Sequence, residues 1–298
     1  MLETADLLKK VRKLELVTRR LVDDVVGGAY HSVFKGRGIE FDEVREYTFE
    51  DDIRDIDWNV SARLNAPYVK KYVEERELTV LLMLDVSGSM AFGPAGSKIA
   101  DRAVEAAALL GLSAINNHDR VGLSLFCDRV IKFLIPRSGR HNNLRLIREL
   151  VSASQGNFAG RTNIAEALRN ACGILVKRSV IFVISDLLDN SSELEKALKI
   201  ANRRHDVIVL HVFDKRAFEL PAEIKSLYDA ESGSFLRLNS RQARESFIRK
   251  QLDKINAQLD MCRRSGAEVI SLDSEANTVT ALVGFFHRRM RRRSGRAS

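Results

Sequence analysis

Asp85, Ser87 and Ser89 stand on alternate residues directly after an apolar run, in the segment LDVSGSM at 84–90. A buried strand that ends in one carboxylate and two hydroxyls offers four chemistries. It can hold a phosphate, carry a nucleophile, bind a hard metal ion, or turn the chain and cap a helix. A second carboxylate, Asp186, ends the run SVIFVISD in the same way, and a third hydroxyl, Thr162 in GRTNIAEAL, opens the helix before that strand. Alternation in an extended loop carries Ser87 and Ser89 to the side that Asp85 faces. Five oxygen-bearing side chains from three loops can then converge. Two carboxylates offset the charge of a dication and neutral hydroxyls fill further positions. That donor set suits Mg²⁺, with Mn²⁺ the other candidate, at metal–oxygen distances of about 2.0–2.1 Å. Softer metals want imidazole or thiolate, and neither is near these motifs.

The rival chemistries fit less well. A Walker phosphate loop needs G-x-x-x-x-G-K-[ST], whereas DVSGSMAFGPAGSKIA has its glycines and lysine in another register. An aspartyl-phosphate enzyme built on Asp85 needs a second acid two residues later, and that place is Ser87. The nucleophile elbow G-x-S-x-G is absent. Taken singly, Ser89 or Ser97 reads as a helix cap; only the conjunction of five residues favours a metal.

The elements that must position these residues are legible. Strand-like runs LTVLLMLD, RVGLSLFC, VIKFLIP, SVIFVISD and DVIVLHVFD alternate with helical patterns at about 98–116, 141–153, 163–177, 192–204 and 241–264, and a strand AEVISLD and a helix NTVTALVGFF follow. Continuous β-branched runs between helices predict a mainly parallel sheet buried on both faces, hence a doubly wound α/β domain whose ligands sit beyond the carboxyl ends of the strands. Upstream, Leu7, Val11, Leu14, Leu21 and Val25 share one face of an N-terminal helix that Gly27 and Gly28 stop, and a short β/turn extension follows. The expected division is therefore 1–77, 78–286 and a basic, disordered tail at 287–298.

The net charge of +8 belongs mostly to that tail, whose six arginines leave +2 for the rest of the chain. Three scattered cysteines (Cys127, Cys172, Cys262), with no paired spacing, predict buried thiols in a reducing compartment. No apolar stretch approaches the roughly 18–20 residues of a membrane span and no leader pattern is present, so a cytoplasmic location is expected. The six histidines show no metal spacing. Asp55, Asp57 and Asn59 imitate the start of a calcium loop, but Val60 and Ala66 stand where its glycine and glutamate belong. Arg45, Arg54 and Arg63 among Asp51, Asp52, Asp55 and Asp57 predict an ion-pair network, and Trp58 a packing anchor. Asp214, ending another strand, suits the crevice or a cap. Arg161 stands directly beside Thr162.

Asp85-x-Ser87-x-Ser89 with Thr162 and Asp186 resembles the metal-ion-dependent adhesion site of von Willebrand factor A-type domains. The resemblance implies Ser87 and Ser89 as direct Mg²⁺ ligands, Thr162 as a direct or switching one, and Asp85 and Asp186 acting mostly through water. An acidic residue of a protein partner would take the remaining position, with Arg161 flanking that docking carboxylate. GRGIEFDEVREYTFEDDIRDIDWNVSARLNAPYVKKYVEER, running into that strand, is similar to the domain-of-unknown-function-58 family, von Willebrand A-like bacterial proteins associated with MoxR-type AAA+ ATPases. VFDKRAFELP and LYDAESGSFLRL share that likeness. Members of the family with paired transmembrane helices near the N-terminus are common, and this chain has none. The resemblance implies a non-enzymatic adaptor or co-chaperone whose partner is a MoxR-type AAA+ ATPase or its substrate. The alternatives are a Mg²⁺-dependent phosphoryl-transfer enzyme using Asp85, and nucleic-acid binding through the arginine tail, which no aromatic-rich basic strand supports.

Overall fold

The computed structural model describes residues 30, 33, 40–49, 51–64, 66–73, 77–94, 98–156, 160–189, 191–219, 226–228, 235–237 and 240–294. The chain forms two compact units, Phe34–Leu78 and a larger one made of Met1–Val33 with Thr79–Ser298. The residues of the expected opening helix, 1–29, lie outside the described ones.

In the smaller unit, β1 (Glu40–Glu46) pairs antiparallel with β2 (Tyr68–Val73). Between them lies α1 (Trp58–Leu64), where the sequence predicted only strands and turns. Polar contacts explain that helix. Asp57 Oδ1 accepts the Asn59 and Val60 N–H groups, and Ser61 Oγ accepts Tyr68 N–H at 2.8 Å. With α1 held this way, Trp58 is no packing anchor and stays 68% exposed. Of the expected ion pairs, Arg45–Asp51 is present at 2.5 Å.

The larger unit is built on a six-stranded sheet. Its strands are β3 (Thr79–Asp85), β4 (Arg120–Phe126), β5 (Val130–Arg137), β6 (Val180–Ser185), β7 (Asp206–Phe213) and β10 (Glu268–Asp273), in the order β10-β7-β6-β3-β4-β5. All neighbours run parallel except β5, which returns antiparallel along β4. Gly122 sits where the β4–β5 register slips, and a Cβ there would lie 2.6 Å from Leu134 O, so only glycine fits. A hairpin of β8 (Ser226–Tyr228) and β9 (Phe235–Arg237) stands apart from the sheet.

Period-two alternation sends β3 side chains to two opposite cores. Leu81 and Met83 pack with α4 (Ile164–Ile174), α5 (Leu194–Arg204) and α6 (Arg241–Arg264). Leu82 meets the other layer, formed by α2 (Ile99–Asn116) and α3 (Arg140–Gln155), where a Cβ at Gly111 would touch both Leu82 and Leu146. Burial on both faces explains the uninterrupted apolar runs of β3 and β6.

The last helix, α7 (Thr278–Ser294), includes most of the segment expected to be a disordered tail. Arg289 is the reason: it is 3% exposed and pairs with Asp206 and Glu268, the first residues of β7 and β10. An arginine buried between two carboxylates fixes the helix that carries it. At the same edge, Tyr30 donates to Asp119 at 2.9 Å and packs edge-on against Phe286. Among the described residues no helix is long and apolar enough to cross a membrane.

His211, inside β7, is buried with neither ring nitrogen hydrogen-bonded, and its ring stacks on Phe213. Burial pushes its pKa down from 6.5 to about 4. The folded chain therefore resists a proton that the unfolded chain accepts near 6.5, so the protonation-linked cost of His211 is absent above that pH and grows down to about 4. Urea unfolding should show a loss on the order of 3 kcal/mol across this window, and His211→Gln should flatten the slope. Burial lowers the pKa of His205 as well and adds to the effect with the same sign.

Candidate metal centre

Asp85 is the last residue of β3 and is 1% exposed. Its Oδ1 accepts the Ser87 N–H at 2.9 Å and its Oδ2 the Ser185 hydroxyl at 2.6 Å. One carboxylate thereby turns its own loop and ties the ends of two adjacent strands. The loop it turns aligns three hydroxyls: Thr162 Oγ1 donates to Ser87 Oγ at 2.9 Å, and Ser87 Oγ lies 3.1 Å from Ser89 Oγ. Ser87 and Thr162 are buried and Ser89 is half-buried, so the row opens to solvent at Ser89.

Backbone contacts hold the loops together. Gly88 N–H donates to Gly160 C=O at 3.1 Å, and Asn163 N–H to Cys127 C=O at 2.9 Å. Gly160 has φ +84, a conformation that favours glycine. The start of α4, just after Thr162, is fastened twice: Asn163 Oδ1 accepts Glu166 N–H, and Asp189 Oδ2 accepts Ile164 N–H at 2.8 Å. Burial pushes the Asp189 carboxyl up, while the N–H groups it accepts favour its charge.

Asp186 follows β6 directly and is 4% exposed. Its Oδ1 accepts Leu188 N–H at 3.1 Å across a kink in which Leu187 takes φ 60. That conformation costs about 1–2 kcal/mol in a non-glycine residue. It is held by the burial of Leu187 and by its N–H bond to Ser185 Oγ at 3.0 Å. The structure thus brings Asp85, Ser87, Ser89 and Thr162 into one hydrogen-bonded group. Asp186 stands on the adjoining strand end, next to the serine that binds Asp85.

Ser185 is the residue that sequence reasoning missed. A hydroxyl at the end of a strand buried on both faces must find a partner inside, and that requirement was the available signal. Asp214 is a cap: its Oδ1 accepts Arg216 N–H at 2.9 Å and Arg216 Nε at 2.8 Å, and this guanidinium holds its carboxyl below the usual range. Arg161 is exposed beside Thr162. The three cysteines are buried and free, and Ser97 and His31 lie outside the described residues.

Among the described residues no group of three or more His, Cys, Asp or Glu side chains could hold a metal ion. Any cation here would lean on hydroxyls. Neighbouring ligands of an octahedral ion with 2.0–2.1 Å bonds lie about 2.9 Å apart, and the two hydroxyl spacings are 2.9 and 3.1 Å. These are also ordinary hydrogen-bond lengths, so it is the donor set, hydroxyls beside a carboxylate, that suits a small hard dication.

Fold and site define a class: a helix-flanked, mostly parallel sheet with a cluster of polar side chains at its carboxyl edge. The chain belongs to the family described as Protein of unknown function DUF58, which it matches over residues 43–257. The uncharacterized protein Mb1516 of Mycobacterium bovis is 30% identical over 283 residues, covering 94% of this chain and 89% of that relative. The uncharacterized protein Rv1480 of Mycobacterium tuberculosis gives the same figures. Among solved structures, the conserved hypothetical protein BatB from Bacteroides thetaiotaomicron aligns with TM-score 0.48 and 18% identity, over 72% of this chain and 99% of that one. An aerotolerance-related membrane protein from Bacteroides fragilis aligns with TM-score 0.46 and 17% identity over the same shares.

Asp85→Ala would leave a buried N–H and a buried hydroxyl unpaired and should lower the unfolding free energy by about 2–5 kcal/mol. Ser89→Ala, at the open end of the row, should stay within about 0.5 kcal/mol of the parent. Urea titrations of both variants make the comparison.

Proposed function

We propose that this chain is a non-enzymatic, Mg²⁺-dependent protein-interaction module of von Willebrand A-like fold, acting as an adaptor or co-chaperone of a MoxR-type AAA+ ATPase. The observation that carries this reading is the row of hydroxyls Thr162–Ser87–Ser89 beside the buried carboxylate Asp85. Ser87, Ser89 and Thr162 would hold the ion directly, and Asp85 and Asp186 would balance its charge through water. Bound there, Mg²⁺ would supply a Lewis-acidic position for a carboxylate of the partner. Arg161, exposed at the rim, would face that carboxylate's second oxygen and favour an acidic over a neutral side chain.

Phosphoryl transfer by Asp85 draws less support. Both of its oxygens already accept hydrogen bonds, and the position where the acid–base partner should stand holds Ser87.

Calorimetric titration of the full chain with MgCl₂ and with MnCl₂ tests the metal step. Saturable binding is expected, weakened at least tenfold, a loss of about 1.4 kcal/mol, in a Ser87→Ala, Ser89→Ala double variant that still unfolds cooperatively. Equal binding by parent and variant would remove the metal reading. Binding to a purified MoxR-type ATPase from the source cell should then require Mg²⁺ and be lost on chelation. Binding indifferent to chelator would separate the partner from the metal.

A further inference from the structure

The opposite edge of the sheet carries a second surface. Three turns lead into neighbouring parallel strands there: 174–179 into β6, 202–206 into β7 and 263–268 into β10. Their exposed side chains include Lys177, Arg178, Arg203, Arg204 and Arg264. The only acids in these turns, Asp206 and Glu268, are both taken by Arg289. Arg288 and Arg292 on α7 flank Arg289 and are exposed as well. The rim is therefore strongly cationic, and its field reaches inward. After burial, the charges of Arg204 and Arg178 are what push the His205 imidazole down.

An aliphatic side chain projects from the β6 turn of this rim. Leu175 is buried, whereas the next residue, Val176, is 90% exposed and stands directly before Lys177 and Arg178. The turn is fixed: Arg204 Nη1 donates to Cys172 C=O at 3.0 Å, and Ser179 Oγ to Lys177 C=O at 2.9 Å. Ile174 and Met290 add partly exposed apolar surface, at 39% and 38%. Cations alone would suit any polyanion. An aliphatic tip framed by cations suits a surface that is anionic at its face and apolar just beneath, which is a bilayer of acidic lipids. Nucleic acid would use the cations but leave Val176 in water, and the three turns offer no aromatic side chain for base stacking.

We propose that the amino-terminal edge of the sheet docks on anionic membrane, with Val176 entering the headgroup layer and the lysine and arginines of the rim lying against lipid phosphates. This is independent of the metal centre, which lies at the other end of the strands, about 20 Å away for a six-residue strand.

Sedimentation of the full chain with vesicles tests it, using phosphatidylcholine alone and phosphatidylcholine with about a third phosphatidylglycerol. The expected result is binding to the acidic vesicles only, with partitioning reduced about fivefold for each cation removed in Lys177→Ala and Arg178→Ala. Val176→Ser, which removes the aliphatic tip without adding charge, should weaken vesicle binding several-fold and leave any binding to a short DNA duplex unchanged. Circular dichroism confirms that the variants fold, and Ser87→Ala should bind vesicles like the parent. No preference for acidic vesicles would overturn the proposal. So would an unaltered vesicle affinity in Val176→Ser, and if duplex binding then falls with Lys177 and Arg178 removed, the rim is a nucleic-acid surface instead.

Discussion

A carboxylate placed inside a protein must be given hydrogen bonds, and Asp85 receives them from two directions at once. The Ser87 N–H comes from its own loop and the Ser185 hydroxyl from the neighbouring strand, 100 residues further along the chain. The first bond bends the chain as it leaves β3, and the second holds β3 and β6 in register at their carboxyl ends. The positions of Ser87, Ser89 and Thr162 follow from that pair of bonds. Had β3 ended in an apolar residue, the same loop would have had neither a reason to turn there nor a charge to present.

The rest of the larger unit serves to keep that edge rigid. Apolar residues on alternate faces of β3 engage two helical layers, so a one-residue slip would send each of them to the wrong face and part Asp85 from Ser185. At α4, two independent caps fix the helix start next to Thr162. At the end of β6, the left-handed turn at Leu187 is tolerated because its side chain and its N–H are both satisfied inside. Local strain beside a polar cluster persists only where the surrounding structure holds it.

What was legible in the sequence was whatever depends on short-range pattern. The apolar runs of β3, β4, β6 and β7 appeared as strands because burial on both faces leaves no room for polar residues. Asp85 and Asp186 could be assigned to one edge because parallel strands share their direction. Ser185 was missed because its role depends on which strand lies beside β6, a fact set by packing. Arg289 was read as part of a solvated tail because an arginine among arginines gives no local sign of burial. Its partners, Asp206 and Glu268, lie far back along the chain. Trp58 erred in the other direction: a large apolar residue predicts burial, but α1 is secured by Asp57 and Ser61. Tyr30 likewise joins the larger unit through its bond to Asp119, a contact that no local pattern announces.

The loops that bear Ser87 and Thr162 are joined main chain to main chain, by Gly88 N–H and Gly160 C=O. That bond uses no side chain, so exchanging the hydroxyls leaves it intact. Shape and chemistry at this edge are therefore separately heritable. A descendant could exchange the hydroxyls for inert side chains and still pass on the joined loops. Recruitment of the same frame to another ligand would then need changes in a few side chains and none in the fold.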